Sequence, residues 1–243
     1  SAAGSAAAGS AALHTKGGAP PQKLIRIPAG PATLGSTDAF GWDNEFPART
    51  VAVPAFEMQR LNVTNAAYLE YMNETGAPAP HFWNLEDDRW FWRGMFELVP
   101  LPLDWPVYAT HDQAAAYARW AGGRLPAEAE YNLAAEGTPL VGNFDFARLD
   151  PVPAGSISGS VSRWGAYDLV GNGWEWTSTV FEGFPGFKPM RSYPQYSTDF
   201  FDGQHYVLKG ASPVTAREMV RISLRNWFRP NYPYLYATFR CVF

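Results

Sequence analysis

The sequence predicts one irregular α+β domain in which about three helices lie among short antiparallel strands. Its 22 Gly and 21 Pro are spread along 243 residues and leave room for only a few uninterrupted helices. Aromatic residues make up 16% of the chain and charged residues only 17%, which indicates that aromatic packing supplies much of the core. A chain of this length can bury most of its apolar surface, so we expect that core to be substantial.

The strand predictions rest on short segments of apolar and β-branched residues between Pro and Gly stops. LIRIPAG and TVAVPAF predict two strands that open the domain, and WEWT, HYVLKG and ATFRCV predict strands near its end. Residues 1–22 are small, polar or rich in Pro and Gly, without a periodic apolar face. We therefore predict a flexible linker or arm at 1–22 and a folded domain at 23–243.

Two segments between these strands carry the start and stop signals of helices. Thr64 can cap a first helix that ends at Gly76. Thr110 and Gln113 have the spacing of a capping box, and Gly122 would end this second helix. The side chains that the first helix is expected to bury are Tyr68, Leu69 and Met72.

A third helix is predicted between Pro126 and Gly137. Pro126 is expected in its first turn, and Glu128 and Glu130 lie near the positive end of the helix dipole. Helix signals are absent from the sequence that follows. Residues 138–243 are therefore predicted to form turns and short strands.

Composition argues against several classes of function. The formal net charge is −4 and the basic residues form no runs, so we do not expect nucleic-acid binding. The sequence has no run of roughly 18 apolar residues, so no membrane span is expected. Cys241 is the single cysteine, which excludes an internal disulfide and a cysteine-based zinc site. This cysteine usage suits a reducing compartment, and we expect a cytoplasmic protein.

The histidines do not have the spacing of a metal site. None has another histidine two to five residues away, and the HExxH pattern is absent. Cys241 lies in the apparent strand TFRCV, where a buried and unreactive thiol is the usual outcome. We therefore expect that this chain alone holds no redox metal and that each histidine is structural or on the surface. The four are His14, His81, His111 and His205.

Residues 165–178, GAYDLVGNGWEWTS, contain the densest group of polar side chains. Asp168, Asn172 and Glu175 surround two glycines. Such side-chain oxygens, with exposed carbonyls, are the ligands that Ca²⁺ prefers. A glycine turn held by Asx hydrogen bonds explains the same pattern, so the residues leave both interpretations open.

Residues 223–242 interleave arginines with aromatic residues. Planar cations beside aromatic rings can clamp a ligand that bears a carboxylate. The same pattern also arises in a core where arginine stems pack on rings. The residues concerned are Arg225, Arg229, Arg240, Trp227, Phe228, Tyr232, Tyr234 and Tyr236, with Arg221 just before them.

Taken together, these segments resemble the formylglycine-generating-enzyme (sulfatase-modifying-factor) family. NVTNAAYLEYM, GGRLPAEAE, GNGWEWT and FRCV carry the resemblance, in the family's order over residues 24–243. It implies a variant C-type lectin-like fold with little regular secondary structure. Formylglycine generators bind copper through two cysteines after an RGGS-like motif. VLKGASPVTAREMVR has none, so that activity is not expected here.

The chain more closely resembles the C-terminal domain of EgtB-type non-heme iron sulfoxide synthases of ergothioneine biosynthesis. FGWDNEFPARTVAVPAF, DFFDGQHYVLKGAS and RNWFRP carry this resemblance. In those enzymes, three histidines of a preceding DinB-like helical domain hold Fe(II), and the lectin-like domain supplies the substrate wall. The resemblance implies an O₂-dependent oxidoreductase that joins a cysteine-type thiol to a histidine-derived imidazole. This chain would bind substrate, with the iron ligands on a helical partner domain.

The resemblance also assigns roles to individual residues. Tyr196 lies near the position of a tyrosine that donates a proton during O₂ activation. Asn231 and Tyr232 correspond to contacts with the amino-acid portion of the thiol substrate, and three residues flank them, namely Arg225, Asn226 and Arg229. The family's calcium positions correspond to the side chains of Asp168 and Glu175, the carbonyls of Gly171 and Gly173, and Asn143 in a second site.

Two other functions fit the same fold. One is a non-catalytic ligand-binding or display domain, like the variable proteins of diversity-generating retroelements. The other is an oxidase of the kind that matures pyoverdine, which requires an exported protein.

Overall fold

The computed structural model describes residues 22–38 and 40–243, where eleven short strands and four helices are joined by long irregular segments. The helices are α1 (Asn65–Thr75), α2 (His111–Trp120), α3 (Glu128–Ala135) and α4 (Gln195–Thr198). The strands are β1 (Leu24–Ile27), β2 (Gly30–Leu34), β3 (Arg49–Val53), β4 (Phe56–Gln59), β5 (Trp83–Glu86), β6 (Arg89–Arg93), β7 (Leu98–Pro100), β8 (Gly173–Val180), β9 (Tyr206–Ala211), β10 (Asn226–Phe228) and β11 (Ala237–Thr238).

The helix ends follow the predicted capping chemistry. The hydroxyl of Thr64 accepts a hydrogen bond from the backbone of α1, and Gly76 ends this helix in the left-handed conformation with φ of 70°. Thr110 and Gln113 bond to each other's backbone N–H groups at the start of α2, which confirms the predicted capping box. Tyr68 is buried as predicted, whereas Leu69 and Met72 are only half-buried and Tyr71 is buried in their place.

Two details of the helix prediction are wrong. Pro126 lies before the N-cap of α3, because that helix begins at Glu128. The four-residue α4 interrupts the region predicted to hold only turns and strands. A single helical turn has too few residues to show a 3.6-residue apolar period.

Four small sheets make up the β structure of the described residues. β1 pairs with β4, β2 with β3, and β5, β6 and β7 form a meander that the sequence did not predict. Asp87 and Asp88, both with positive φ, turn the chain between β5 and β6. The largest sheet has the order β10-β9-β8-β11, and its β11–β8 pair is parallel, unlike the other strand pairs described.

The main core is aromatic, as the composition predicts. It lies between α1, α2, the β5–β7 meander and the largest sheet, and Trp92, Trp176 and Tyr68 are among its fully buried side chains. A second core packs α3 against β1, β2 and β4. Within the described residues, no helix has both the length and the apolar character needed to cross a membrane.

The predicted arm lies outside the described residues except for Gln22. Its side-chain amide bonds to both backbone groups of Leu61, at 2.9 and 3.0 Å. The boundary between arm and domain stays a prediction.

Residue His111, at the start of α2, makes the stability of the fold depend on pH. Its ring stacks on Tyr206 at 3.8 Å, and Nε2 lies 3.2 Å from the carbonyl of Thr177. Burial lowers the pKa of His111 from 6.5 to about 4. Between these two pH values the ring is neutral in the folded chain and protonated in the unfolded chain. Stability is therefore full above about pH 6.5 and decreases as the pH falls toward 4.

We expect this histidine to remove about 3 kcal/mol of unfolding free energy between pH 7 and pH 4. Urea unfolding of the wild type and of His111→Phe across that range measures the effect, because phenylalanine keeps the ring and loses the proton site. An identical pH slope in the two proteins would contradict this account.

Candidate functional site

A cavity of about 490 Å³ opens beside β10, where this strand meets α4 and the turn at residues 42–45. Six aromatic rings line it: Trp42, Trp174, Tyr196, Phe200, Trp227 and Phe228. The remaining lining is His205, Val214, Thr215, Ala216, Met219, Leu224, Arg225 and Asn226. The volume and the apolar, aromatic wall are typical of a small-molecule site.

Three rings of this wall form a continuous row of contacts with Tyr196 in the middle. Tyr196 stacks on Trp42 at 4.6 Å and meets Trp227 edge-on at 5.4 Å. Trp227 in turn stacks on Phe181 at 4.2 Å, which ties the wall to the interior. Burial, together with the charges of Asp43 and Glu45, raises the pKa of Tyr196 to about 12, so its phenol keeps its proton at neutral pH.

The position of Tyr196 is set by a turn about 150 residues earlier in the chain. Asp43 is buried and accepts hydrogen bonds from the Ser197 hydroxyl and from the backbone N–H of Met190, the latter at 3.1 Å. The side-chain amide of Asn44 donates to the same hydroxyl at 3.0 Å. A single helical turn is too short to be stable alone, so these bonds hold α4 in place.

Charged groups next to the cavity are paired inside the protein. Glu45 is fully buried and accepts hydrogen bonds from Arg221, from Ser223 at 2.6 Å and from the backbone of Trp42 at 2.8 Å. Burial alone would raise the pKa of Glu45, but these bonds hold it below its usual range. The carboxylate therefore stays ionised and keeps the loop that carries Trp42 in place.

A buried cluster of three charged side chains links α3, β9 and the residue that precedes β10. Oε1 of Glu128 accepts from Arg225 at 3.0 Å and lies 3.4 Å from Nζ of Lys209, and all three side chains are at least 97% buried. Burial lowers the pKa of Lys209 to about 8, against the opposing attraction of Glu128.

The residues predicted to contact substrate fall into two groups. Arg225 and Asn226 line the cavity, but the Arg225 guanidinium donates to Glu128 and to the carbonyls of Asn44 and Glu182. Three others follow β10 outside the cavity lining, where their side chains are at least partly exposed, and these are Arg229, Asn231 and Tyr232. Their contacts with a substrate stay predictions.

The carboxylates predicted to bind calcium are engaged with protein donors. Arg240 donates to both oxygens of Glu175, at 2.7 and 2.6 Å, and neither side chain is exposed. Asp168 accepts from the backbone of Gly155 at 2.6 Å and from Ser160 at 2.8 Å. A calcium ion takes about six to eight oxygen ligands, and these carboxylates do not fit one while the arginine occupies Glu175.

The two predicted glycines have conformational roles. Gly171 has φ of 86°, and a Cβ there would lie 2.8 Å from the backbone nitrogen of Asn143. Gly173 has φ of 147°, and a Cβ would lie 2.9 Å from the ring of Tyr108. This geometry is what the glycine-turn interpretation requires, and calcium binding by Asp168, Gly171, Gly173, Glu175 and Asn143 stays a prediction of the resemblance.

The three histidines of the described residues do not fit an iron centre. His111 is in the core, His205 bonds to Asp202, and His81 packs edge-on against Tyr234. Within the part of the chain that the structure describes, no three His, Cys, Asp or Glu side chains converge to hold a metal ion. Cys241 is buried, and burial raises the pKa of its thiol to about 12, so it is not a reactive thiolate.

A family model, the sulfatase-modifying factor enzyme 1-like domain, matches residues 10–243. The chain belongs to this family. Hercynine oxygenase of Mycolicibacterium smegmatis is 34% identical in an alignment of 250 positions. The alignment covers 85% of this chain and 58% of the relative. Ergothioneine biosynthesis protein 1 of Schizosaccharomyces pombe is 35% identical over 219 residues, 84% of this chain and 27% of the relative. The chain thus spans less than two thirds of either relative.

The fold of this chain matches that of a solved structure. The structure of PvdO from Pseudomonas aeruginosa matches with a TM-score of 0.68 at 20% identity, over 90% of this chain and 93% of that one. The predicted variant C-type lectin-like fold is therefore confirmed, as is the resemblance to proteins of ergothioneine biosynthesis. At this identity the likeness to PvdO concerns the fold alone.

Several residues that line or support the cavity were not predicted as site residues from the sequence. Trp42, Asp43, Ser197 and Asp202 were not singled out, and His205, which lines the cavity, was predicted only as a structural or surface histidine. The segments FGWDNE and DFFDGQH, which contain four of these residues, carried the family resemblance, and this was the signal available for them.

Proposed function

We propose that this chain is the substrate-binding part of an iron- and O₂-dependent sulfoxide synthase that joins a cysteine-type thiol to a histidine-derived imidazole. The aromatic cavity beside β10 carries this proposal. Hercynine, after which one of the relatives is named, is the trimethylated betaine of histidine and combines a flat ring with a permanent cation. Aromatic faces attract such a cation without a charged partner, which suits a wall whose own charges are already paired.

The thiol substrate is proposed to lie at the exposed side of the same strand. Arg229, Asn231 and Tyr232 follow β10 directly, and Tyr232 stacks on the cavity residue Phe228 at 5.0 Å. An arginine here could receive the carboxylate of a cysteine-type thiol. Two substrates on adjacent sides of β10 would be held close enough to react.

Tyr196 is proposed to supply a proton. Its phenol is neutral at pH 7 and is fixed by Trp42 and by the bonds that hold α4, so Oη carries a proton at a defined position in the wall. A positioned acid of this kind raises rates without a change in binding.

The iron and its ligands are proposed to belong to the rest of the protein, in a DinB-like helical domain. When bound there, iron would supply the activation of O₂. The described residues of this chain would orient the substrates and exclude water. The greater length of the relatives is consistent with a further domain.

The test is calorimetric titration of the purified chain with hercynine. We expect Trp227→Ala to weaken binding by about tenfold or more, because the ring contacts both Tyr196 and Phe181 and truncated aromatic anchors in binding sites commonly lose about 2 kcal/mol. Trp120→Ala, which removes a half-exposed ring of α2, is the matched control and should leave binding unchanged. Tyr196→Phe keeps the ring and should bind within about twofold of the wild type.

Two outcomes would contradict the proposal. One is a wild-type chain that does not bind hercynine. The other is stoichiometric Fe(II) binding by the chain alone, measured under anaerobic conditions, since the iron ligands are assigned elsewhere.

A further inference from the structure

A hydrogen-bonded pair, Asp202 and His205, stands at the wall of the cavity and has no part in the chemistry proposed above. His205 lines the cavity between Phe200 and β9, and its Nδ1 lies 2.9 Å from Oδ1 of Asp202. The backbone N–H of Gln204 donates to the same carboxylate oxygen at 2.8 Å. These bonds to His205 and Gln204 hold the pKa of Asp202 below its usual range, so it is a carboxylate at neutral pH.

This pairing determines which nitrogen of the ring carries the proton. A carboxylate can only accept, so Nδ1 of His205 must be the N–H that donates to it. In the neutral ring Nε2 is then an unprotonated acceptor. Among the described residues, no protein group bonds to Nε2. The guanidinium of Arg229 also lies near the pair, 3.9 Å from the second oxygen of Asp202.

Besides the hydroxyl of Tyr196, the other side chains of the cavity wall offer a ligand few free hydrogen-bond acceptors. The hydroxyl of Thr215 accepts from the backbone of Ser212, and the side-chain oxygen of Asn226 accepts from the backbone of Trp227. Glu45, next to the cavity, is occupied by Arg221 and Ser223. The faces beside His205 are aromatic, with Phe200 edge-on to it at 5.2 Å and Trp227 5.6 Å from Phe200. A ligand that fits here has a flat ring for these faces and an N–H for Nε2.

We propose that His205 is a ligand-binding residue whose Nε2 accepts a hydrogen bond from the ring N–H of an azole, and that Asp202 is the positioning residue that fixes its tautomer. The choice of an azole rests on the proposed function, whose substrate carries an imidazole. The tautomer and its dependence on Asp202 are properties of the free protein. They can be measured without any substrate.

The first measurement is ¹⁵N NMR of the histidine side chains in the ligand-free chain. We expect His205, assigned by loss of its signals in His205→Phe, to show a protonated Nδ1 and a bare Nε2. In Asp202→Ala the two tautomers should mix, while the signals of His81 stay unchanged. A His205 with its proton on Nε2 would overturn the proposal, because that nitrogen could not accept.

The second measurement compares binding of hercynine and of imidazole to the wild type and variants. We expect His205→Phe to bind both about fivefold to tenfold more weakly, the usual effect of one lost hydrogen bond. His205→Gln, whose Oε1 can accept in place of Nε2, should recover part of the affinity. His81→Phe is the matched control, since that ring packs against Phe82 and Tyr234 outside the cavity lining.

The results separate this inference from the proposed function. Binding of imidazole that depends on His205, without binding of hercynine, supports the inference and contradicts the proposed function. Binding of both that is unaffected by His205→Phe overturns the inference alone. Failure of the wild type to bind either probe overturns both.

Discussion

Replacing Glu128 by glutamine is expected to lower the free energy of unfolding by about 3–5 kcal/mol. The change removes the carboxylate that Arg225 and Lys209 share in a region almost closed to water, and it leaves two cations near each other. The loss should shrink as the pH is raised, because deprotonation of Lys209 removes one of the unpaired cations. Urea unfolding at pH 7 and pH 10 measures both parts of the prediction.

The matched control is Glu136→Gln, which breaks the exposed ion pair with Arg163. Exposed pairs contribute at most about 1 kcal/mol, so this variant should stay close to the wild type. If Glu128→Gln lowers the free energy of unfolding by less than about 1 kcal/mol, the buried cluster does not stabilise the fold as proposed. Because Arg225 precedes β10 directly, hercynine binding by the variant should weaken together with its stability.

Arg240→Met is expected to have an effect of similar size, about 3–5 kcal/mol, because it leaves Glu175 as an unpaired charge in the core. The double variant Arg240→Met, Glu175→Leu should recover most of the loss, since apolar side chains of similar volume can replace a buried pair. Thermal unfolding of the single variants and the double variant gives the coupling between the two residues.

The same variants test the calcium prediction. The wild type should unfold at the same Tm with calcium or with a chelator, because Arg240 occupies both oxygens of Glu175. In Arg240→Met the freed carboxylate could accept calcium, and Tm would then rise on its addition. A chelator that lowers the wild-type Tm by several degrees would show instead that calcium binds with the arginine in place.

Local signals were sufficient to predict the ends of α1 and α2, since Thr64, Gly76 and the pair Thr110–Gln113 act within one turn of the helix. The β5–β7 meander was not predicted because β6 carries Trp90, Phe91 and Trp92 in succession, on both faces of the strand, instead of alternating apolar with polar residues. The isolated turn of α4 depends on Asp43, a contact that no local pattern encodes.

The candidate site was predicted in part. The family resemblance led to Tyr196, Arg225 and Asn226, which line the cavity. It did not distinguish a guanidinium that faces a ligand from one bound to Glu128, because the two differ only in tertiary contacts. The carboxylate of Glu175 shows the same problem, since the spacing that suits calcium also suits a buried arginine.

The parallel pairing of β11 with β8 has a consequence for synthesis of the protein. Ala237 and Thr238 complete the largest sheet, and Val242 bonds to Arg124 in both directions. Translation must therefore reach residues 237–243 before that sheet can close. Until then the nascent chain exposes the unpaired edge of β8, so we expect ribosome-bound chains to depend on chaperones. A stop codon at position 237, which removes β11 together with the bonds between Val242 and Arg124, should yield an insoluble product.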